Sequence, residues 1–321
     1  MSTHKNSEPV TRAYTYRWWH VMPLLLVPLL FMGGELETED VTPVVPSVAR
    51  VALGSQLPLH VNGRVERWMA RFQTTQKAAF ETLLKRRSVY DELVRGKLRK
   101  RGMPEELLYL AMMESGLEPR AVSRVFAVGL WQFMSPTALQ YGLRVDEWVD
   151  ERRDPVRATD AALDYLQWLH GRFGSWYLAA AAYNAGPGRV ERVLRRHAER
   201  WTGDEDVYWD VLDHLPRETR EYVPRLVAAT ILGEDAAAYG FIVEFADPYR
   251  FDRAFVPGGT TLAKVAAGLG VDERLLRDLN PHLMRHVTPP GEMYGVRVPV
   301  GDSPQVVALL NRGLRTRRAD D

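Results

Sequence analysis

The feature of this sequence that most constrains its fold is the long segment 61–240, in which helix signals repeat and no convincing strand appears. Apolar residues recur at helical spacing over residues 65–72. Two later segments start with a capping residue followed by proline, at Ser135 and at Asp154, which is typical of the first turn of a helix. We therefore predict a mainly α protein whose helical domain covers residues 61–247.

The character of the sequence changes after residue 250. Residues 251–301 suggest a short strand, two helices and a second short strand, which predicts a small, separate α+β domain. On the N-terminal side, residues 35–60 are rich in proline, valine and acidic residues without clear periodicity, and we interpret them as a linker. Residues 302–321 form an amphipathic tail.

Residues 1–34 are predicted to direct export or to anchor the chain in a membrane. Their apolar stretch, 21–34, has the length of a signal-peptide core and is short for a membrane span of roughly 20 residues. Trp18, Trp19 and the lack of an A-x-A cleavage site favour an uncleaved anchor instead. A buried core helix is disfavoured because two prolines would break it. Both leading interpretations place the rest of the chain outside the cytoplasm, in the periplasm or cell envelope.

Composition excludes several kinds of site. The chain has no cysteine, so it has no disulfide, no thiolate metal site and no cysteine nucleophile. It has neither an HExxH motif nor an aspartate-rich calcium loop, and we expect no metal and no cofactor. The formal net charge is +1, so no overall field attracts nucleic acid. The basic run at 95–102 is interpreted as a solvated helix face.

One acidic residue lies on a helix face that should be buried. In the segment LLYLAMMESGLEP, Glu114 continues the apolar stripe of Leu107, Leu110 and Ala111. Apolar surroundings and the negative end of the helix dipole both raise the pKa of such a carboxyl group, which suits it to act as a general acid. Taken alone, the pattern leaves open the alternatives of solvent exposure and of pairing with Arg120.

Four linked motifs indicate the class of the helical domain. They are the pair Glu114 and Ser115, the turn Gly129-Leu130-Trp131-Gln132, the segment Ala182-Tyr183-Asn184-Ala185-Gly186, and Tyr222 within ETREYVPRL. In order and spacing this series resembles the lytic transglycosylases of the goose-type-lysozyme superfamily. The segments VNGRVERWMARF, WVDERRDP and LPRETREYVPRL resemble the membrane-bound D type. The resemblance covers residues 61–241 and implies a lysozyme-like helical fold.

The resemblance implies cleavage of peptidoglycan with a single protein carboxylate. Glu114 would protonate the β-1,4 glycosidic oxygen between N-acetylmuramic acid and N-acetylglucosamine, and would then remove the proton of the muramic acid's own 6-hydroxyl. Attack by that hydroxyl would give 1,6-anhydro ends. The residues implied in substrate binding are Ser115, Ser123, Gly129, Leu130, Gln132, Tyr183, Asn184, Gly186 and Tyr222. Without the resemblance, the two tyrosines would be interpreted as core residues and Asn184 as a helix cap.

One residue departs from the family pattern. Where the family commonly has S-x-x-G-A-x-G-L, this chain has Phe126 in place of the first glycine. Phenylalanine adopts positive φ only at a cost, so we predict an ordinary loop conformation. The ring would then either pack inward or be offered to the glycan as an apolar platform.

The C-terminal domain resembles a LysM domain. The segments GGTTLAKVA, LGV, LLRDLNP, PPG and VRVPVG occur in the expected order, although the opening strand lacks the usual Y-x-V-x-x-G-D-T form. The resemblance implies binding of N-acetylglucosamine-containing glycans by the loops 259–262 and 281–291. The contact residues would be Gly259, Thr260, Thr261, Pro290 and Gly291. A purely structural appendage is the alternative.

The sequence thus predicts an exported lytic transglycosylase that acts on peptidoglycan glycan strands. A hydrolytic muramidase and a catalytically silent peptidoglycan-binding protein stay open as alternatives. The muramidase needs a second carboxylate to serve water, and Asp146, Glu147 and Asp150 are poor candidates because they lie in a polar segment. Cell-wall synthesis or division proteins, and a membrane reached through the N-terminus, are candidate partners.

Overall fold

A computed structural model describes residues 56–199 and 203–309 of the chain. The mainly helical prediction is confirmed, with strands present only in the C-terminal domain of the described part. The predicted export or anchor segment, residues 1–34, lies outside the described residues, as does most of the predicted linker. Within the described ranges, no helix combines the length and the apolar character that a membrane span requires.

The helical domain, residues 63–241, contains these α-helices: α1 Gly63–Gln73, α2 Lys77–Lys100, α3 Leu108–Ser115, α4 Ser135–Gln140, α5 Pro155–Phe173, α6 Trp176–Ala185, α7 Pro187–His197, α8 Asp206–Asp210 and α9 Arg217–Glu234. Short 3-10 helices at Glu105–Leu107, Glu151–Arg153 and Leu212–His214 lie between them.

Two predicted helix starts can be compared with the structure. Asp154 caps α5 as predicted, because its carboxylate accepts hydrogen bonds from the first backbone N–H groups of the helix. The prediction that Ser135 caps α4 is wrong by one residue, since Met134 is the N-cap and Ser135 is already helical. The Ser135 hydroxyl instead accepts a hydrogen bond from Arg152 at 2.8 Å.

The core of the helical domain is built around α3 and α6. Every residue from Leu108 to Glu114, and every residue from Tyr177 to Ala185, is buried. A helix that is buried on all sides belongs in the interior of a domain. Helix α9 packs against α1, α3 and α6, and it therefore brings its own side chains to the end of α3.

Helix α9 continues through a proline, Pro224. Proline has no N–H, so the carbonyl of Arg220, four residues earlier, loses its helical donor. The hydroxyl of Tyr208 in α8 replaces that donor, at 3.1 Å from the carbonyl of Thr219 and 3.3 Å from that of Arg220. Residues on both sides of the proline therefore share one continuous helix.

The C-terminal domain has the predicted order of strand, two helices and strand. Its elements are β1 Asp252–Val256, α10 Leu262–Leu269, α11 Glu273–Leu279 and β2 Tyr294–Val298. The strands are antiparallel, with Asp252 opposite Val298 and Val256 opposite Tyr294. Residues 303–309 are helical, and Val306 is buried in the core of this domain, so the start of the predicted tail packs on it.

The two domains meet in a buried interface. Val149 of the helical domain is buried in the core of the C-terminal domain. The N–H of Asp150 donates to the carbonyl of His282 at 3.0 Å. Nearby, Nη2 of Arg297 lies 2.5 and 2.6 Å from the two carboxylate oxygens of Asp154, and their side chains are only 2% and 3% exposed. A buried ion pair of this kind is sensitive to geometry, because each charge depends on the other to offset its desolvation.

The end of the predicted linker also lies against the helical domain. Leu57 is buried, and the carbonyl of Pro58 accepts a hydrogen bond from the hydroxyl of Tyr177 in α6. The N–H of Gln56 donates to Glu106 at 3.2 Å. Residues 56–60 therefore follow the surface of the domain.

Candidate active site

Glu114 lies in the last turn of α3 and is 6% exposed. The helix ends at Ser115, and Gly116 follows with a φ of 63°, which is typical of a C-terminal cap. Burial of the carboxyl group agrees with the helical spacing of the apolar stripe. The alternative pairing with Arg120 does not occur, because Arg120 donates to Asp278 of the C-terminal domain at 2.9 Å and to the carbonyl of Arg277.

The partner of Glu114 is Tyr222 of α9. The tyrosine hydroxyl donates to Oε1 of the glutamate at 2.5 Å. Burial raises the pKa of Glu114 to about 7, although the hydrogen bond from Tyr222 and the charge of Arg225 oppose the rise. A carboxyl group with this pKa populates both protonation states near neutral pH, so it can release a proton and later take one back.

Two charged residues near Glu114, Glu218 and Arg225, were missed by the sequence reasoning. They lie on α9 four residues before and three residues after Tyr222, so helical spacing within ETREYVPRL was a signal for them. The guanidinium of Arg225 lies 5.9 Å from the centre of the Tyr222 ring. Its Nε and Nη2 are buried and have no acceptor among the described residues. Burial lowers the pKa of Arg225, opposed by Tyr222 and by Glu114.

The glycine turn, residues 129–132, lies against the end of α3. The Ser115 hydroxyl donates to the carbonyl of Leu130 at 2.8 Å, and the Tyr183 hydroxyl donates to the carbonyl of Trp131 at 2.7 Å. Both hydroxyl groups thus hold the backbone of the turn. Contact of Ser115, Leu130 and Tyr183 with substrate stays a prediction.

Gly129 and Gln132 fix the shape of this turn. Gly129 has a φ of 85°, and a Cβ there would lie 1.7 Å from the carbonyl oxygen of Arg152. Gln132 also has positive φ, at 48°, and its Nε2 donates to the carbonyl of Gly129 at 2.8 Å. Its Oε1 is buried and has no donor among the described residues, so it can accept a hydrogen bond from a sugar hydroxyl or amide.

Other predicted site residues organise the ends of helices and loops. Oγ of Ser123 accepts a backbone hydrogen bond within its own loop at 3.0 Å. Asn184 accepts from the hydroxyl of Thr219 at 2.8 Å and donates to Glu218 at 3.3 Å. Gly186 joins α6 to α7 with a φ of 84°. Asn184 therefore links the end of α6 to the face of α9 that reaches Glu114.

The prediction of an ordinary backbone at Phe126 is wrong. Its φ is 63°, in the left-handed region, and its side chain is 76% exposed. The loop keeps this conformation because the N–H of Phe126 donates to the carbonyl of Ser123 at 3.0 Å and its carbonyl accepts from Arg152 at 3.3 Å. The inward-packed alternative is therefore also wrong, and the ring faces solvent.

The carboxylates set aside as second catalytic groups are all engaged elsewhere. Asp146 pairs with Arg144, Glu147 with Arg285, and Asp150 with Arg152. Glu218 is instead half-buried near Glu114, and burial raises its pKa, opposed by the hydrogen bond from Asn184. In the described ranges, no three His, Asp or Glu side chains come together in a way that could hold a metal ion.

The two predicted glycan loops of the C-terminal domain lie side by side. The N–H of Gly259 donates to the carbonyl of Thr288 at 3.0 Å, and that of Thr260 to the Thr288 hydroxyl at 3.0 Å. Residues 282–284 of the second loop contact the helical domain through backbone hydrogen bonds. Gly259, Thr261, Pro290 and Gly291 are exposed. Glycan binding by these loops stays a prediction.

Comparison with known families identifies both parts of the chain. Residues 93–203 match the family described as the transglycosylase SLT domain. Residues 250–313 match the family described as lytic transglycosylase MltD, LysM-like domain. Both resemblances inferred from the motifs are confirmed.

Individual proteins that are similar to this chain are named as lytic transglycosylases. The membrane-bound lytic murein transglycosylase D of Escherichia coli strain K12 is 32% identical over 232 residues, which cover 71% of this chain and 50% of that protein. The soluble lytic murein transglycosylase of that strain is 30% identical over 146 residues, 43% of this chain and 22% of the relative. A solved structure, the 70 kDa soluble lytic transglycosylase from Escherichia coli, is 26% identical to this chain, with a TM-score of 0.38. The match covers 47% of this chain and 25% of the solved chain. The chain spans about half the length of the membrane-bound relative.

Proposed function

The chain carries a transglycosylase SLT domain followed by an MltD-type LysM-like domain, and on this basis we propose that it is a peptidoglycan lytic transglycosylase. It cleaves the β-1,4 bond between N-acetylmuramic acid and N-acetylglucosamine and leaves 1,6-anhydro ends. The observation that carries the proposal is the buried carboxyl group of Glu114, hydrogen-bonded by Tyr222 at 2.5 Å and with a pKa raised to about 7.

In the first half of the reaction, protonated Glu114 is the general acid. Its proton passes to the glycosidic oxygen as the bond from that oxygen to the anomeric carbon breaks, and the bonding electrons leave with the N-acetylglucosamine. Burial keeps a substantial fraction of the carboxyl groups protonated at neutral pH. An unburied glutamate, with a pKa near 4.5, would be almost fully ionised there.

In the second half, the carboxylate of Glu114 is the general base. The 6-hydroxyl of the muramic acid forms a bond to the anomeric carbon and gives its proton to the carboxylate, which restores the starting acid. The hydrogen bond from Tyr222 and the positive charge of Arg225 both favour the carboxylate form and stabilise it between the two halves. Gln132, Asn184 and the turn at 129–132 bind and orient the sugars.

The same proposal places the protein in the cell envelope, on peptidoglycan strands. The Escherichia coli relative of which this chain covers 50% is named as membrane-bound. Residues 1–34 of this chain have an apolar stretch suited to export or anchoring. Glycan contact by the C-terminal loops and binding of cell-wall synthesis or division proteins belong to this proposal as well.

Product analysis with matched variants tests the proposal. Purified sacculi digested by the parent protein should release fragments whose ends are one water lighter than hydrolysis products, with no labelled oxygen taken up from the solvent. Glu114→Gln should lose cleavage because an amide cannot donate the proton. Glu118→Gln, the same change four residues further along the chain, should retain it. Activity of Glu114→Gln within threefold of the parent would refute the assignment.

The presence of Glu218 near Glu114 keeps a hydrolytic muramidase as a second candidate. A carboxylate in that position could activate water, which would give reducing ends that contain solvent oxygen. Glu218→Gln separates the two functions. A muramidase should lose its activity with this change, whereas a transglycosylase should still form anhydro ends.

A further inference from the structure

We propose that the C-terminal domain is a structural part of the active site, with Arg297 as a positioning residue for the turn at 129–132. Arg297 would act through Asp154 and the support segment, residues 148–154, which lies between the two domains. The effect on turnover rests on the proposed function, whereas the effect on the position of the turn does not.

The first link joins Arg297 to the support segment. Its guanidinium contacts both oxygens of Asp154 at 2.5 and 2.6 Å, and its Nη1 donates to the hydroxyl of Tyr249 at 2.9 Å. The backbone N–H of Arg297 donates to Asn280 at 2.8 Å. The backbone of Arg297 is thus held from within its own domain, while Tyr249, whose N–H donates to the carbonyl of Val89 in α2, joins the same guanidinium to the helical domain.

The second link runs through the backbone and side chain of Asp150. Its N–H donates to the carbonyl of His282, and its carboxylate accepts from Arg152 at 2.8 and 2.9 Å. Nη1 of Arg152 then reaches the loop of the turn, at 3.3 Å from the carbonyl of Phe126 and 3.4 Å from that of Phe133. One arginine thus connects the support segment to both ends of the loop that contains the turn.

The third link is steric. Gly129 packs so closely on the carbonyl of Arg152 that no Cβ fits between them. On its other side, the turn is held by the hydroxyls of Ser115 and Tyr183. Because the turn is enclosed from both directions, movement of the support segment must move Gln132 or break one of these contacts.

The support segment takes part of its packing and hydrogen bonding from the C-terminal domain, in addition to its hydrogen bonds with Arg144 and Asp146 of the helical domain. It contains only one short 3-10 helix, Glu151–Arg153, and its apolar residue Val149 is buried in the core of the other domain. The N–H of Met284 donates to the carbonyl of Trp148 at 2.9 Å. The interface therefore supplies burial and hydrogen bonds that this segment of the helical domain does not supply for itself.

Full-length variants compared on a soluble glycan too short to contact both domains provide the kinetic test. Arg297→Gln should lower kcat at least about tenfold, since displacement of binding groups by about 1 Å can reduce rates a hundredfold. Arg297→Lys should recover part of the loss. Arg250→Gln is the matched control, because it makes the same change in an ion pair with Glu92 of α2, the described contacts of which do not reach the support segment, and kcat should stay within twofold. A normal kcat for a folded Arg297→Gln would overturn the proposal.

Hydrogen exchange gives a second readout that does not depend on activity. In Arg297→Gln, the amides of Val128, Gly129 and Phe133 should lose protection together with those of Asp150 and Met284, all of which donate hydrogen bonds in the structure. If that variant fails to fold, the parent in sub-denaturing urea replaces it, and both groups should then exchange with one opening free energy. If the amides of the turn exchange with an opening free energy different from that of the interface amides, the proposal is overturned. A parent without any cleavage activity would refute the proposed function and leave this exchange test intact.

Discussion

At the scale of single residues, Glu114 combines two opposing demands. Burial gives it the pKa that a general acid needs, but burial of an ionisable group also costs folding free energy once the group is charged. Tyr222 limits this cost by donating to the carboxylate. The residue proposed to perform the chemistry is therefore also a site where the fold is less stable than it could be.

This opposition predicts that Glu114→Gln stabilises the protein at alkaline pH. The pKa of about 7 in the folded state exceeds the ordinary value of 4.5, so the folded protein binds the proton more tightly and loses stability as pH rises from about 4.5 to 7. At about 1.4 kcal/mol per pH unit, the loss approaches about 3 kcal/mol. The amide mimics the protonated acid and should avoid this loss. Urea unfolding should show that the variant has a higher free energy of unfolding than the parent at pH 8, and that this gain nearly vanishes at pH 4.5. An equal gain at both pH values would contradict the prediction.

The exposed ring of Phe126 leads to a second prediction at this scale. Phe126→Ala should change the melting temperature little, because the ring contributes almost no buried surface, but it should weaken glycan binding if the ring stacks on a sugar. A loss of about 1 kcal/mol, or about fivefold in affinity, is expected for such a contact. Phe126→Tyr is the matched control and should bind normally. Unchanged affinity in the alanine variant would show that the ring has no part in binding.

Some residues of the site could be predicted from the sequence and others could not. Burial of Glu114 follows from helical spacing alone, and the four motifs led to its neighbours. The conformation of Phe126 did not follow, because the hydrogen bonds of its loop outweigh the preference of the residue itself. Arg225 and Glu218 lay within reach of the same spacing argument applied from Tyr222.

At the scale of secondary structure elements, the turn at 129–132 is defined by what it packs against. Helix α3 presents Glu114 and Ser115 from one side, and α6 presents Tyr183. The sequence predicted these helices from apolar periodicity and caps, but it could not show that Gly129 faces the carbonyl of Arg152. That contact joins parts of the chain more than twenty residues apart, and local propensity does not report on it.

Two glycines with similar backbone angles test this contact. Gly129 has a φ of 85° and no room for a Cβ, whereas Gly142 has a φ of 74° and open space around it. Gly142→Ala should lower the free energy of unfolding by only about 1–2 kcal/mol, the cost of placing an alanine in the left-handed backbone conformation. Gly129→Ala should cost about 3 kcal/mol or more, because a backbone carbonyl must also move. The free energies of unfolding in urea check this, and equal losses would contradict the packing argument.

At the scale of the whole molecule, two domains predicted as separable are in fact packed together. Their individual folds follow from the change in sequence pattern near residue 250. Their interface does not, since Asp154 reads as an ordinary helix cap and Arg297 as an ordinary strand residue. Only the folded chain shows that the cap also holds the arginine of the other domain.

The interface should weaken in mild acid. Burial lowers the pKa of His282 to about 4, opposed by Asp154, so the unfolded chain takes up a proton below about pH 6.5 while the folded chain does not until about pH 4. Stability is thus lost as pH falls through this window, by up to about 3 kcal/mol. The charge of Arg297 holds the pKa of Asp154 below its ordinary value despite burial, so its contribution is lost only at still lower pH. Calorimetry should show one unfolding transition at pH 7.5 and two at pH 4.5.

The matched variant for this experiment is His282→Gln, which removes the titrating ring. Its unfolding profile at pH 4.5 should resemble its profile at pH 7.5. Splitting of the transition to the same extent in the variant would assign the acid sensitivity to other groups.

The Asp154–Arg297 pair also bears on how such a chain can be inherited. Its two members are 143 positions apart and belong to different modules, yet either one alone would be an unpaired buried charge. Recombination that supplied a foreign LysM-like module without the arginine would leave the aspartate buried without its ion-pair partner. The reverse exchange would leave the arginine buried without its partner. Related chains with this interface should therefore keep or replace both residues together. Joint retention of the pair would then indicate that the two modules have evolved as one unit.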